Sequence, residues 1–203
     1  MKNIKIRKKI VVLLISVVLV VTLSIVPLTN KEPEKEILVV AKIEDYDYKL
    51  KNNQTKIYKK YFSDLEEELK DNKINEENYA KLIAKLFLID FYTLSNKMTN
   101  QDIGGVQFIY SNKQDNFKLK ATETIYKYVQ TNIYGNRSQK LPTVKDVEIV
   151  SLDTIKFSYL EQEDNNAYQI KSKISYKEDM NYPKDITLTI IHEDNKLVIA
   201  EVK

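Results

Sequence analysis

Residues 185–202, DITLTIIHEDNKLVIAEV, give the clearest indication of the fold class of this chain. Apolar and polar residues alternate along it on both sides of the polar residues 193–195. A period of two places every second side chain on the same face of a strand, and a short polar segment between two such runs is typical of a hairpin turn. The stretch therefore predicts two antiparallel strands, each with one buried face and one solvated face.

The same alternation reaches upstream to residue 143 and predicts further strands of the same sheet. The apolar members of these runs are Val147, Ile149, Ile155, Phe157, Tyr159, Ile170, Ile174 and Tyr176. Polar residues at 161–166 and 178–184 separate the runs and are interpreted as turns. Together with residues 185–202, the pattern predicts an antiparallel meander of four to five strands.

Before residue 143 the spacing of the apolar residues becomes that of helices. Apolar and aromatic side chains recur at intervals of three and four within 54–71, 75–95 and 115–130, which lines one face of an α-helix. Asn75 is a suitable N-cap, and the second segment is apolar over a wide arc, so we expect it to be the buried central helix. Helices followed by strands predict an α+β fold, with about three helices packed on one face of a curved antiparallel sheet.

Two other segments leave alternatives open. Residues 37–50 are interpreted as a strand or an extended lead-in, and residues 37–40 alternatively continue a helical stalk. Residues 106–110 form a short apolar run that fits a helix or a strand. Gly104 and Gly105 precede that run and indicate a turn.

The N-terminal segment predicts a membrane anchor. An apolar run at 10–28, without any ionised side chain, follows a basic segment that contains Lys2, Lys5, Arg7, Lys8 and Lys9. A helix of this length spans roughly 28 Å, close to the thickness of about 30 Å of the hydrocarbon core of a bilayer. Because basic residues favour the cytoplasmic side, the N-terminus is predicted to be cytoplasmic.

This anchor divides the chain into four parts. They are a cytoplasmic basic tail at 1–9, a transmembrane helix at 10–28, a juxtamembrane spacer at 29–36 and an extracytoplasmic α+β domain at 37–203. A cleaved signal peptide is the alternative. Its apolar region is usually about 7–15 residues long and ends at a small-x-small site, whereas this run is longer and residues 22–24 match such a site poorly. The uncleaved, single-pass anchor in the cell membrane is therefore favoured.

Composition excludes several classes of function. The five basic residues before the apolar run leave 27 of the 32 for the rest of the chain, against 29 acidic residues, so the predicted external part has a net charge of −2. A nucleic-acid-binding domain normally has a net basic face, and no nucleic-acid partner is predicted. The chain has no cysteine, one histidine and three glycines, with neither dinucleotide-binding nor phosphate-loop motifs, so no metal and no cofactor are predicted. Frequent Lys, Asn, Ile and Tyr suggest a bacterium with an AT-rich genome.

The order of helices followed by a meander that ends in residues 185–202 resembles the nuclear transport factor 2-like (cystatin-like) superfamily. The resemblance implies a cone of helices wrapped by a bent sheet over residues 50–203. With an N-terminal anchor, the chain looks like the external domains of bitopic assembly factors in bacterial secretion and conjugation machines. The resemblance rests on the order of elements, so no functional residue is carried over from it.

Asp90 and His192 are the candidate site residues. Asp90 lies on the apolar face of the predicted central helix, where burial raises the pKa of a carboxyl unless a partner favours its charge. It is either a base that faces a pocket or a structural carboxylate bound to backbone, tyrosine or lysine. His192 lies beside the turn at 193–195, and a role as base requires an orienting group and a cavity. Its alternative role is that of a partly exposed hairpin residue.

The leading hypothesis from the sequence is a membrane-anchored extracytoplasmic module that binds another membrane or envelope protein or associates with itself. No catalytic motif is evident, so an enzyme is not favoured. The alternative is a small-ligand-binding or enzymatic domain with a pocket near Asp90. A cavity lined by Asp90 and several tyrosines would favour this alternative over the first hypothesis.

Overall fold

The computed structural model describes residues 34–159 and 162–203. The predicted tail, the predicted transmembrane helix and most of the predicted spacer lie outside the described residues. None of the helices in the described part has both the length and the apolar character that crossing a bilayer requires. Lys35–Lys203 make up one structural unit, which contains every helix and strand of the described residues.

Three α-helices lie in the first two thirds of this unit. They are α1 at Lys56–Lys70, α2 at Glu76–Tyr92 and α3 at Gln114–Glu123. The predicted N-cap is confirmed, because the Asn75 side chain accepts a hydrogen bond from the backbone N–H of Asn78. The predicted extension of the third helix to residue 130 is wrong, since the chain leaves the helical conformation at Thr124 (φ −119°, ψ −97°).

The strands form two antiparallel sheets. The smaller sheet pairs β1 at Val39–Ile43 with β2 at Tyr48–Lys51. The larger sheet has the order β3-β4-β5-β6, with β3 at Val144–Tyr159, β4 at Gln162–Tyr176, β5 at Asp185–Glu193 and β6 at Lys196–Val202. The α+β class and the antiparallel meander are therefore confirmed, with four strands in the meander.

The strands differ from the expectation in two places. The two predicted runs around residues 147 and 157 belong to the single strand β3, and Gln162 already starts β4, so most of the predicted turn at 161–166 is strand. Register shifts between Ile149 and Ser151 and between Ile155 and Phe157 explain the first difference. A bulge inserts an extra residue, which interrupts the alternation without ending the strand.

The two ambiguous segments have short, irregular structures. The 37–50 segment is a hairpin of β1 and β2, joined by a 3₁₀ turn at Glu44–Tyr46, so its strand interpretation holds from residue 39 onward. The 106–110 segment starts as a 3₁₀ helix at Val106–Phe108, and Ile109 then forms a parallel bridge to Ile199 on β6. Both alternatives for this segment are therefore partly right.

The core lies between the helices and the larger sheet. Most residues of α2 are buried, as predicted for the central helix, and α2 contacts α1 on one side and β3, β4 and β6 on the other. A second, smaller apolar cluster lies on the other face of the sheet and consists of Tyr110, Ala167, Ile191, Val198 and Ala200. The second face of the sheet is therefore partly covered, in contrast to the fully solvated face that the alternation predicts.

Ser172 on β4 provides a test of this packing. Its side chain is buried, and its hydroxyl oxygen has no hydrogen-bond partner among the described residues. A buried hydroxyl without a partner costs about 1–3 kcal/mol. We therefore expect Ser172→Ala to raise the free energy of unfolding by about 1 kcal/mol, measured by chemical denaturation.

The matched control is Ser95→Ala. The Ser95 hydroxyl is 2.6 Å from that of Thr143, so its removal is expected to lower the free energy of unfolding by about 1 kcal/mol. Destabilisation by both substitutions would contradict the assignment of Ser172 as an unpaired hydroxyl.

Candidate functional site

Asp90 lies near the C-terminal end of α2 with its carboxylate buried. Lys97 Nζ is 2.5 Å from Oδ1, Gln54 Nε2 donates to Oδ1 at 2.9 Å, and the backbone N–H of Gly105 donates to Oδ2 at 2.7 Å. Burial by itself raises the pKa of this carboxyl. The Lys97 ammonium and the hydrogen bonds from Gln54 and Gly105 outweigh burial and hold the pKa of Asp90 below its ordinary value.

Two glycines allow the chain to close over this carboxylate. Gly105 has φ +75°, in the left-handed region that glycine adopts without strain, and a Cβ at Gly104 would overlap the backbone carbonyl of Asp90. The predicted turn at these two residues is thus present. Its role is to bring the Gly105 N–H to the buried carboxylate.

A cavity of about 370 Å³ lies beside the Asp90 network. Its lining includes Asp90, Gln54, Gly105, Lys49, Lys51 and Gln107. The Asp90 carboxylate contacts three donors from its own chain, and its low pKa makes it a weak base at neutral pH. These contacts fit the structural alternative for Asp90 better than the role of a general base.

His192 lies near the end of β5 and is held by a carboxylate of β4. Oδ2 of Asp164 accepts a hydrogen bond from the His192 backbone N–H at 2.8 Å and is 2.9 Å from Nδ1 of the ring. Nε2 lies 3.6 Å from Oε1 of Glu76, the first residue of α2. A groove of about 450 Å³ opens beside the ring, and Tyr46 and Tyr79 contribute to its lining. The orienting group and the cavity that a histidine base requires are therefore both present.

Asp164 is the residue of this site that the sequence reasoning missed. It falls in the segment 161–166, interpreted as a turn, although its backbone is in β4. The sequence around Asp164 has an Asn two residues later, and the backbone N–H of Asn166 donates to the Asp164 carboxylate at 2.9 Å. An aspartate that binds the backbone two residues on is typical of a turn, so this local pattern predicts a turn and not a contact with His192. The contact to His192 depends on the register between strands.

The Asp164 carboxylate is expected to stabilise the domain as an anion. Partial burial raises its pKa, but hydrogen bonds from the His192 backbone and ring and from Asn166 outweigh burial and lower it. The Asp164 carboxylate therefore adds its full contribution to the free energy of unfolding above the pKa of an unfolded aspartate, about 3.9. This contribution is lost as the pH falls through the lower pKa of the folded state. We expect Asp164→Ala to cost about 2 kcal/mol at pH 7, measured by chemical denaturation.

Repeating the Asp164→Ala measurement at lower pH provides the control. The difference between Asp164→Ala and the unchanged protein should shrink as the pH falls below about 4, since the Asp164 carboxylate of the unfolded chain then takes up a proton more readily than that of the folded protein. A difference that grows as the pH falls below about 4 would contradict the assignment of Asp164 as a stabilising anion.

A buried tyrosine pair attaches the β1–β2 hairpin to the rest of the domain. The hydroxyls of Tyr48 on β2 and Tyr79 on α2 are 2.6 Å apart. The Tyr48 hydroxyl donates to the Leu197 carbonyl on β6, and the Leu197 N–H donates to the Tyr79 hydroxyl, both at 3.2 Å. The network therefore links β2 to α2 and β6, and β1 is attached to the domain through its pairing with β2.

The outer side of this hairpin is apolar and exposed. Leu38, Val39 and Val40 have exposed fractions of 51%, 54% and 55%. β1 pairs with β2 alone among the described strands, so its other edge has no strand partner there. Asn52 contacts Leu38 from the β2 side, where its N–H donates to the Leu38 carbonyl at 2.9 Å and its Oδ1 accepts from the Leu38 N–H at 3.2 Å.

Among the described residues, no group of three or more His, Asp or Glu side chains is placed to share a metal ion. Comparisons with protein-family models, with curated proteins and with solved structures find no match to this chain. The resemblance to the nuclear transport factor 2-like superfamily therefore stays a prediction, and the interpretation of the site depends on its geometry.

Proposed function

We propose that this chain is a single-pass membrane protein with a cytoplasmic N-terminus, and that its extracytoplasmic α+β domain is a protein-interaction module. The run at 10–28 and the basic residues before it support the anchor and its orientation. The Asp90 contacts speak against an active site at this residue, because donors of the same domain already bind the buried carboxylate. They thereby favour an interaction role over the alternative of a catalytic pocket near Asp90.

The observation that carries the proposal is the exposed apolar run of Leu38, Val39 and Val40. Single exposed apolar residues are common, but consecutive ones on a strand edge without a partner are typical of association surfaces. The proposed anchor would hold the chain in one membrane together with other proteins, which are its candidate partners.

The absence of cysteine gives a direct test of the topology. Single cysteines are introduced as Lys2→Cys in the predicted tail and as Glu178→Cys at an exposed position of the domain. A membrane-impermeant maleimide applied to intact cells is expected to label Glu178→Cys, and to label Lys2→Cys only after permeabilisation. Labelling of Lys2→Cys alone in intact cells would contradict the orientation.

The interaction itself is tested by cross-linking the unchanged full-length protein in its membrane with an amine-reactive reagent. A discrete adduct of defined mass is expected. Recovery of the chain as a monomer alone, at reagent concentrations that link known membrane complexes in the same sample, would contradict the proposal.

A second candidate function is small-ligand binding, favoured by the groove beside the Asp164–His192 pair. The chain contains one histidine, so a single set of imidazole resonances reports on this groove. Saturable shifts of these resonances on titration with small organic acids or amines would support the second function. Asp164→Asn is the control, because it removes the charge that orients the ring.

A further inference from the structure

We infer that the long loop between α3 and β3, residues 124–143, binds anionic phospholipid head groups at a membrane surface. The inference goes beyond the protein interaction proposed above and rests on the anchor in that proposal, which brings the chain to a membrane. It is carried by the length of the loop, by its charge and by the tyrosines that it exposes.

The loop is long for a connection within a compact domain. Its 20 residues contain neither a helix nor a strand. Loops of more than about 12–15 residues without secondary structure are uncommon in compact domains, and ordered ones usually carry a function. Arg137 holds this loop in place, because its guanidinium donates to the backbone carbonyls of Lys97, Gln130 and Ser95 at 2.9, 3.0 and 2.7 Å. The loop therefore presents a defined surface.

The charged side chains of the loop are all basic. It contains Lys127, Arg137 and Lys140 and no Asp or Glu, whereas the predicted external part as a whole is net negative. Lys127 and Lys140 are exposed, and neither takes part in an ion pair among the described residues. Lys35 adds a cation beside the loop, where its backbone N–H donates to the Ile133 carbonyl at 2.7 Å. The two loop ammonium groups are thus available to an anion from outside the domain.

Two tyrosines are exposed among these cations. Tyr128 has an exposed fraction of 75%, the highest of any large apolar or aromatic side chain in the described residues, and that of Tyr134 is 36%. Lys127 Nζ lies 5.3 Å from the centre of the Tyr128 ring. Gln139, the neighbour of Lys140, donates to the Tyr128 carbonyl at 2.8 Å, so the two halves of the loop meet there. Tyrosine rings and lysine ammonium groups are both typical of the region of lipid head groups.

An apolar groove beside Tyr128 favours a lipid further. It has a volume of about 360 Å³, and Ile125, Leu141, Tyr182 and Pro183 contribute to its lining. Apolar surface next to exposed ammonium groups matches the boundary between acyl chains and anionic head groups. An acidic protein segment would match the charges alone. The anchor decides between the two, because it turns head-group binding into an intramolecular event at high effective concentration.

The chain has no tryptophan, so a single introduced tryptophan reports on its own surroundings. Full-length Tyr128→Trp is reconstituted into vesicles of phosphatidylcholine and phosphatidylglycerol with brominated acyl chains. We expect its fluorescence to fall about twofold or more relative to vesicles without bromine. Val150→Trp is the control, since Val150 on β3 has an exposed fraction of 61%, and it is expected to keep its fluorescence. Equal quenching of both variants, or none for Tyr128→Trp, would overturn the inference.

Charge reversal tests the recognition of the anionic head group. In the Tyr128→Trp protein, Lys127→Glu together with Lys140→Glu is expected to abolish the quenching. The matched pair Lys171→Glu and Lys173→Glu, at exposed positions of β4, is expected to retain it. Salt should weaken the quenching, because it screens exposed charges. Full quenching in the Lys127→Glu and Lys140→Glu protein, or in vesicles of phosphatidylcholine alone, would overturn the role of the lysines.

Flotation of the vesicles separates failure of this inference from failure of the anchor. The tryptophan variants retain the apolar run at 10–28, so we expect both to float with the vesicles. Protein that floats without quenching would overturn the loop contact and leave the anchor in place, whereas protein that does not float would overturn both. If quenching is absent and the charge reversal in the loop instead removes the amine-reactive adduct in native membranes, the loop binds an acidic protein and the inference is wrong.

Discussion

Asp90→Ala is expected to lower the free energy of unfolding by about 3–5 kcal/mol, measured by chemical denaturation at pH 7. The side chains of Lys97 and Asp90 have exposed fractions of only 3% and 8%. Removal of the carboxylate leaves the Lys97 ammonium buried without a counter-ion, and the donors at Gln54 and Gly105 lose their acceptor. The loss is one of stability, because the carboxylate is held within the fold.

Lys97→Met is the matched control. The carboxylate then keeps its hydrogen bonds from Gln54 and Gly105, so we expect a smaller cost than for Asp90→Ala. The double variant should lose less than the sum of the two single variants, since an apolar replacement of a buried pair leaves no isolated charge. A cost below about 1 kcal/mol for Asp90→Ala would contradict the structural role of the pair.

The pH dependence of stability tests the same carboxylate. The pKa of Asp90 is lowered in the folded state, so its contribution is present above the ordinary value of 3.8 and is lost as the pH falls through the folded value. The unchanged protein should lose stability below about pH 4. Asp90→Ala should show a shallower loss over that range, because it has no carboxylate to protonate there.

Gly105→Ala carries the second large expected effect. The residue has φ +75°, and an added Cβ would lie 2.6 Å from Cδ2 of the buried Phe87 ring. A left-handed conformation costs a residue with a Cβ about 1–2 kcal/mol, and overpacking a core costs about 1–3 kcal/mol. We expect a total loss of about 2–5 kcal/mol in the free energy of unfolding, measured by thermal or chemical denaturation.

Gly135→Ala separates the two causes. Gly135 has nearly the same backbone conformation, with φ +76°, but its added Cβ would contact the end of the Lys35 side chain, which can move aside. We expect a loss of about 1–2 kcal/mol, from the backbone alone. Equal losses for the two glycine variants would show that the contact with Phe87 contributes nothing.

The parts of the fold that the sequence predicts are those determined locally. The apolar arc of α2 and its cap at Asn75 are readable because both depend on neighbours within one or two helical turns. The alternation in β5 and β6 is readable because one face of each strand packs on the core. The third helix is predicted too long, since Ile125, Tyr128 and Val129 continue the helical spacing although the chain has already turned.

The site could be predicted only in part. Asp90 stands out as a carboxylate on an apolar face, but its pairing with Lys97 needs the turn that follows α2, which periodicity does not describe. His192 stands out as the sole histidine, whereas Asp164 reaches it through the register of β4 and β5. The exposed edge at 38–40 looks like core in the sequence, because apolar composition does not distinguish a buried strand from an exposed one.

The most direct test of the interaction module is the mass of the full-length protein in lipid nanodiscs formed from its own membrane, without prior detergent. We expect particles that contain the chain together with a second copy of itself or with another protein of the same membrane. Particles with a single copy and no second protein, for the unchanged chain at its native density in the membrane, would contradict the proposed function.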